Sequence, residues 1–231
     1  KELCRKADIA MYQAKNDGRN TYSFYSPEQD ELSEERFRLL QKLRSAVNAR
    51  GFDLHYQPIV DLNSGQPLVI EALLRWPQKE GGMIGPDIFI PLAETAGVIN
   101  QLGSWVIEQA CLFCAGQRQS GLPDLRVAVN ISALQFNDGL LQGHIEDALL
   151  QAGLPPEALE IELTESLFIN DSSGIVAQLA ALSKMGITIA IDDFGSGYSN
   201  LAYLRRFNAS TLKIDRSFIH PLTVDDNDVP L

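Results

Sequence analysis

Five apolar runs of this chain each carry one polar group where a buried strand should carry none. Glu71 stands inside Ile70-Glu71-Ala72-Leu73, and Asn130 stands late in Val127-Ala128-Val129-Asn130-Ile131-Ser132. Leu159-Glu160-Ile161-Glu162-Leu163-Thr164-Glu165 alternates strictly, so a strand there places Glu160 and Glu162 on one face. Ile189-Ala190-Ile191 runs into the adjacent carboxylates Asp192 and Asp193, and Lys213 interrupts Thr211-Leu212-Lys213-Ile214. Gathering several carboxylates in a low-dielectric site is costly unless a cation neutralises them. The all-oxygen set Glu71, Asn130, Glu162 and Asp192 suits Mg²⁺ or Mn²⁺ rather than Zn²⁺ or copper. Asp192 and Asp193 together can serve a second ion, an arrangement suited to phosphodiester hydrolysis. Lys213 would then stabilise anionic charge or position an attacking water.

Each residue alone has a plainer reading. A lone glutamate near a strand end is more often a solvated edge or an ion-pair partner. Asn130 fits a hydrogen-bonded turn, Asp192-Asp193-Phe194-Gly195 fits an Asx-capped turn, and Lys213 can pair with Asp215. The concentration of such groups toward one end of five strands is what weighs against those readings. Other motifs carry less. Asp193-Phe194-Gly195 lacks the glycine-rich loop and strand lysine of a kinase. Gly195-Ser196-Gly197 lacks the third glycine of a dinucleotide fingerprint. Cys111-Leu112-Phe113-Cys114 lies in an apolar helical pattern and reads as core, as do Trp76 and Trp105. His55, His144 and His220 have no metal or triad spacing.

The elements that must position these groups can be read from periodicity. The first segment, with apolar Ala7, Ile9, Ala10, Met11 and Ala14, reads as a helix stopped by Asp17-Gly18-Arg19-Asn20, followed by a short strand at 22–25. Ser26-Pro27 opens a second helix running to about Arg50, with Leu32, Leu39, Leu40, Leu43 and Val47 at helical spacing and Gly51 ending it. Strands at 54–60 and 67–76 flank the turn Asn63-Ser64-Gly65, and so short a connection requires an antiparallel pair. Helices near 99–116, 140–152, 173–185 and 201–206 then alternate with strands at 126–131, 159–164, 187–192 and 211–214. Such βα repeats imply a mostly parallel sheet with helices outside, either a (β/α)-barrel or a doubly wound open sheet. Six strands are expected in the sheet, two fewer than a complete eight-stranded barrel needs.

Composition bounds the rest. The 231 residues are 45% hydrophobic, 21% charged and 8% aromatic, which excludes a disordered or fibrous protein. Nineteen Lys and Arg against 30 Asp and Glu leave a net charge of −11, which argues against a DNA- or RNA-binding groove. Three cysteines make no disulfide framework and fit a reducing, cytoplasmic setting. No apolar run reaches the roughly 20 residues of a membrane span, and the chain opens on Lys1. It is therefore expected to be a piece of a longer protein, whose remainder can carry a membrane anchor.

At these residues the sequence resembles the EAL-domain cyclic-di-GMP phosphodiesterases. The likeness begins with Tyr56-Gln57-Pro58-Ile59 and Glu71-Ala72-Leu73 and continues through Phe89-Ile90-Pro91-Leu92-Ala93-Glu94 and Val129-Asn130-Ile131-Ser132. Glu162-Leu163-Thr164-Glu165-Ser166, Asp192–Ser199 and Lys213-Ile214-Asp215 complete it, so it spans about residues 30 to 231. Ala7-Asp8, Ala10-Met11-Tyr12, Ala14-Lys15 and Gly18-Arg19-Asn20 resemble the end of a GGDEF diguanylate-cyclase domain. The resemblance divides the chain into a GGDEF tail at 1–25, a linker helix at 26–50 and an EAL domain at 51–231. It implies a TIM-type (β/α)8 barrel with an antiparallel first strand, whose last two βα units lie beyond Leu231.

It further implies hydrolysis of cyclic-di-GMP to linear 5′-pGpG with two Mg²⁺ or Mn²⁺ ions. Glu71, Asn130, Glu162 and Asp192 match ligands of one ion, Asp192 and Asp193 stand near the second, and Lys213 lies beside the attacking water. Gln57, Leu74 and Arg75 match substrate contacts. Glu165 matches a glutamate that shapes the loop after Asp193, and that loop, at 194–200, borders a homodimer interface in relatives. A further family glutamate, in a strand beyond Lys213, is expected downstream of this chain. The rival reading is a receptor that holds cyclic-di-GMP without cutting it. Such relatives usually lose metal ligands, which are present here. A regulatory or dimerisation domain without nucleotide binding is the third.

Overall fold

A computed structural model describes residues 2–16, 20–25, 27–78, 80–165, 173–195 and 208–218. The expected turn at 17–19, the cap at Ser26, the helix at 201–206, the loop at 196–200 and the segment from residue 219 onward lie outside these. Helices α1 (Glu2–Asn16) and α2 (Pro27–Ala49) lead into the sheet. The amide of Arg50 donates to Val47 O at 3.3 Å and that of Gly51 to Ala46 O at 2.9 Å, closing α2 in a Schellman motif. The left-handed residue is Arg50, with φ of 52°, and not the glycine that the sequence offered as the stop. The strand expected at 22–25 does not form. Tyr22 and Phe24 are exposed, stack edge to face at 5.5 Å, and meet no partner strand among the described residues.

Strands β1 (Asp53–Val60) and β2 (Pro67–Pro77) form the antiparallel hairpin, with Asp61 Oδ1 accepting the amides of Asn63 and Ser64 in its turn. A two-residue strand β3 (Met83–Ile84) pairs back onto β2. Helix α3 (Pro86–Thr95), absent from the sequence reading, follows. Pro86 and Pro91 disguise it. Pro86 occupies a first-turn position where no amide is needed, and Phe89, Leu92 and Ala93 still form a buried i, i+3, i+4 face. Then come α4 (Ile99–Gln119), β4 (Arg126–Asn130), α5 (Leu141–Ala152), β5 (Leu159–Thr164), α6 (Ser173–Met185), β6 (Thr188–Phe194) and β7 (Thr211–Ile214). Sheet order is β1-β2-β4-β5-β6-β7, parallel throughout except for β1.

Strand parity separates two chemistries. Ile70, Ala72, Val127, Val129, Leu159, Ile161, Leu163, Ile189 and Ile191 face the helices and form one buried cluster with Val106, Ile107, Cys111, Ile145, Leu179 and Leu182. A smaller cluster of Leu43, Val47, Phe52, Trp76, Phe89 and Leu102 joins α2 to α3 and α4. The opposite sheet face carries Glu71, Ala128, Asn130, Glu160, Glu162, Ala190, Asp192 and Thr211 in register.

The sheet must curl about that polar face. Four strand spacings separate β2 from β7, about 19 Å if flat. Yet Lys213 on β7 reaches Glu71 on β2 at 3.0 Å. The outcome is a partial barrel in which β1 and β7 are the two ends of the sheet among the described residues. No described helix is long and apolar enough to cross a membrane.

Candidate functional site

Glu71, Asn130, Glu162, Asp192 and Lys213 meet on the concave face because each sits at inward parity, Glu71 in the middle of β2 and the others in the second half of their strands. Lys213 Nζ donates to Glu162 Oε2 at 2.6 Å, Glu71 Oε2 at 3.0 Å and Asp192 Oδ2 at 3.1 Å. Asn130 Nδ2 donates to Glu71 Oε1 at 2.9 Å. The three acids each present an oxygen within 4.8 Å of the others. One ammonium among three carboxylates leaves an anionic excess. Glu162 is fully buried, and its Oε1 has no hydrogen-bond partner. Burial raises its proton affinity most; Lys213 opposes this, and the charges of Glu71 and Asp192 add to it. Burial lowers the proton affinity of Lys213, but Glu162 and then Glu71 outweigh it and hold its pKa above the ordinary value.

These residues fit a hard divalent cation on their own chemistry. All donors are oxygens, three are anionic, they converge from separate strands, and a buried carboxylate oxygen is left without a partner.

Asp193 is placed differently. The β6–β7 register slips between Ile191 and Phe194, a bulge in which Asp193 adopts φ of 54°. Its carboxyl lies beside Asp215 rather than within the three-acid group, and burial, then Asp192 and Asp215, raise its proton affinity. Just beyond the bulge, the Gly195 amide donates to Glu165 Oε2 at 3.0 Å. Gly195 has φ of 98°, a backbone conformation that favours glycine, and a Cβ there would come to 2.5 Å from the Phe218 ring, which would have to shift.

The other expected residues divide. Arg75 lies on β2 at the parity of Glu71, its Nη1 donating to Leu74 O at 2.9 Å. Gln57 on β1 pairs in register with Glu71 and is exposed. Leu74 is not brought to the site. It packs against both apolar clusters on the opposite face, because an odd step along a strand reverses the side chain. Leu73 has the parity that Leu74 lacks. Glu160 and Glu162 share a face, but Glu160 pairs with Arg126 at 3.1 Å. Arg126 escaped the sequence reading, although its even spacing from Asn130 was the available signal. Cys111 and Cys114 are buried, as expected of core. Trp76 packs with Phe52 and Phe89, likewise in core.

Residues 40–231 match the EAL domain family. This chain belongs to that family. Over 230 residues and its entire length, the EAL domain chain is 44% identical to the bifunctional diguanylate cyclase/cyclic di-GMP phosphodiesterase MucR of Pseudomonas aeruginosa, covering 34% of it. It is 39% identical over 230 residues to the cyclic di-GMP phosphodiesterase NbdA of the same organism, covering 29%. The chain thus spans about a third of the length of these curated relatives. Among solved structures, the PaMucR phosphodiesterase in complex with c-di-GMP superposes with a TM-score of 0.76 at 45% identity, over 82% of this EAL domain chain and 77% of that one.

Proposed function

We propose that this EAL domain hydrolyses one phosphodiester bond of cyclic-di-GMP, giving linear 5′-pGpG in second-messenger signalling. The carrying observation is the convergence of Glu71, Glu162 and Asp192 within 4.8 Å around Lys213. The names of the two relatives and the bound nucleotide of the PaMucR structure support the same substrate. Glu71, Asn130, Glu162 and Asp192 would hold one Mg²⁺ or Mn²⁺, and Asp192 with Asp193 would stand near a second. Bound divalent ions supply Lewis acidity at the phosphoryl oxygen and a water made acidic enough to attack.

The chain's own groups do the rest. Arg75 and Gln57, at the same face, meet the substrate, with Arg75 at a phosphate. Lys213, charged and anchored by three acids, places positive charge beside the attacking water. The water gives up a proton to solvent as its oxygen bonds to phosphorus, the P–O3′ bond breaks, and the departing oxygen takes up a proton from solvent. Glu165 acts at one remove, holding the Gly195 amide and so the shape of the Asp192–Asp193 bulge. The domain would work in the cytoplasm as a homodimer, downstream of a GGDEF domain whose tail is residues 1–25. The bifunctional relative aligning with the entire chain supports that last reading, since the EAL match begins only at residue 40.

Chromatography of nucleotide products decides the matter. The whole protein with Mg²⁺ or Mn²⁺ should convert cyclic-di-GMP to pGpG, chelation should stop it, and Glu71→Ala should abolish it. Binding without product would select the receptor reading, and unchanged turnover in Glu71→Ala would reject the metal assignment.

A further inference from the structure

On the concave face below the acidic group lies a second set of charges with no part in the proposed hydrolysis. Glu160 is 1% exposed and precedes Glu162 by two residues on β5. Arg126, at the start of β4, donates from Nη1 to Glu160 Oε2 at 3.1 Å and to Thr188 Oγ1 at 3.3 Å. Burial raises the proton affinity of Glu160, while Arg126 first and Lys213 second lower it. Glu160 is therefore near two cations, Arg126 beside it and Lys213 one layer above. Residues two apart on a strand are about 6.6 Å apart, within the swing of a lysine side chain. Removing one partner of a buried ion pair leaves an uncompensated charge that draws any cation in reach. Among the described residues, the other cation acting on Glu160 is Lys213.

We infer that Arg126 is a positioning residue: by neutralising Glu160 it keeps the Lys213 ammonium on Glu71, Glu162 and Asp192. The inference rests on Lys213 serving the proposed hydrolysis. In the whole protein, Arg126→Met should lower kcat about tenfold or more with KM changed less than about twofold. Arg126→Lys, which keeps the charge, should stay within about threefold of the parent, and so should the double variant Arg126→Met/Glu160→Gln, which removes the competing acid.

Parental kcat in Arg126→Met would overturn the inference. So would a double variant as slow as Arg126→Met despite a parental melting temperature, or an Arg126→Lys variant as slow as the methionine. If Arg126→Met does not fold, the lysine and double variants still decide. Failure of the parent to yield pGpG would instead sink the hydrolysis reading. A crystal structure of Arg126→Met, or of Arg126→Ala should the methionine variant not fold, then tests the inference by itself: Lys213 Nζ should move toward Glu160, and its staying on Glu162 would contradict the inference.

Discussion

Glu162 has no exposed surface, and only one of its two carboxylate oxygens is satisfied, by the Lys213 ammonium at 2.6 Å. A buried acid so placed is stabilised by whatever cation it can share with Glu71 and Asp192. Lys213→Met should therefore destabilise the fold by about 3–5 kcal/mol in chelator, since it leaves three neighbouring acids without their ammonium. Millimolar Mg²⁺ should recover much of that loss. Thermal melts with and without Mg²⁺ check this, and an equal shift in both would mean that the acids do not share an ion. Glu165 belongs to a different class. It accepts the Gly195 amide, so Glu165→Ala should cut kcat about tenfold or more while substrate affinity moves less than about threefold. Calorimetric titration beside the turnover assay separates the two, and a collapse of affinity would contradict the assignment.

The elements explain why these side chains meet. β5 is buried on both faces, its alternation sending Leu159, Ile161 and Leu163 to the helices and Glu160 and Glu162 to the concave face. The same helix-facing layer holds Cys111 and Cys114 in α4. Burial, reinforced by Cys114, pushes the Cys111 thiol up to about 12; burial, opposed by Arg118, pushes Cys114 to about 11. Thiolate is then scarce at neutral pH, and access is closed as well. Iodoacetamide at pH 8 should label the folded chain once, at Cys4, and three times after denaturation. Mass spectrometry reads the difference, and prompt labelling of Cys111 in the folded chain would contradict the packing. Because both thiols are held neutral in the fold, their contribution to stability is complete below pH 9 and lost as pH climbs through 11 to 12.

β5, α6 and β7 were legible to the residue, because a two-residue alternation or an apolar helical stripe ran uninterrupted between turn signals. α3 was not, because its two prolines look like breakers until their first-turn and solvent-side placement is known. The bulge in β6 was not legible either. It depends on a register slip against β7, a tertiary event, and it explains why Asp192 joins the acids while Asp193 turns toward Asp215. Leu74 and Leu73 differ only by parity, which the adjacent pair of leucines concealed.

At the scale of the whole molecule, the proposed hydrolysis would require a chain of net charge −11 to attract an anionic dinucleotide. Among the described residues its concave face offers Arg75 for that, while Lys213 and Arg126 are already engaged by acids. A divalent ion on the acidic group would reconcile the charge with the proposed substrate, since it would cancel the anionic excess where the phosphate must come. The curled sheet makes this possible by bringing β2 and β7 together from four strands apart. Anomalous diffraction from crystals grown with Mn²⁺ and cyclic-di-GMP tests this most directly. A manganese peak bonded to oxygens of Glu71, Asn130, Glu162 and Asp192, with the scissile phosphate against it, is the expected result. A peak away from these residues, or nucleotide bound at this face with no ion between it and the acids, would contradict it.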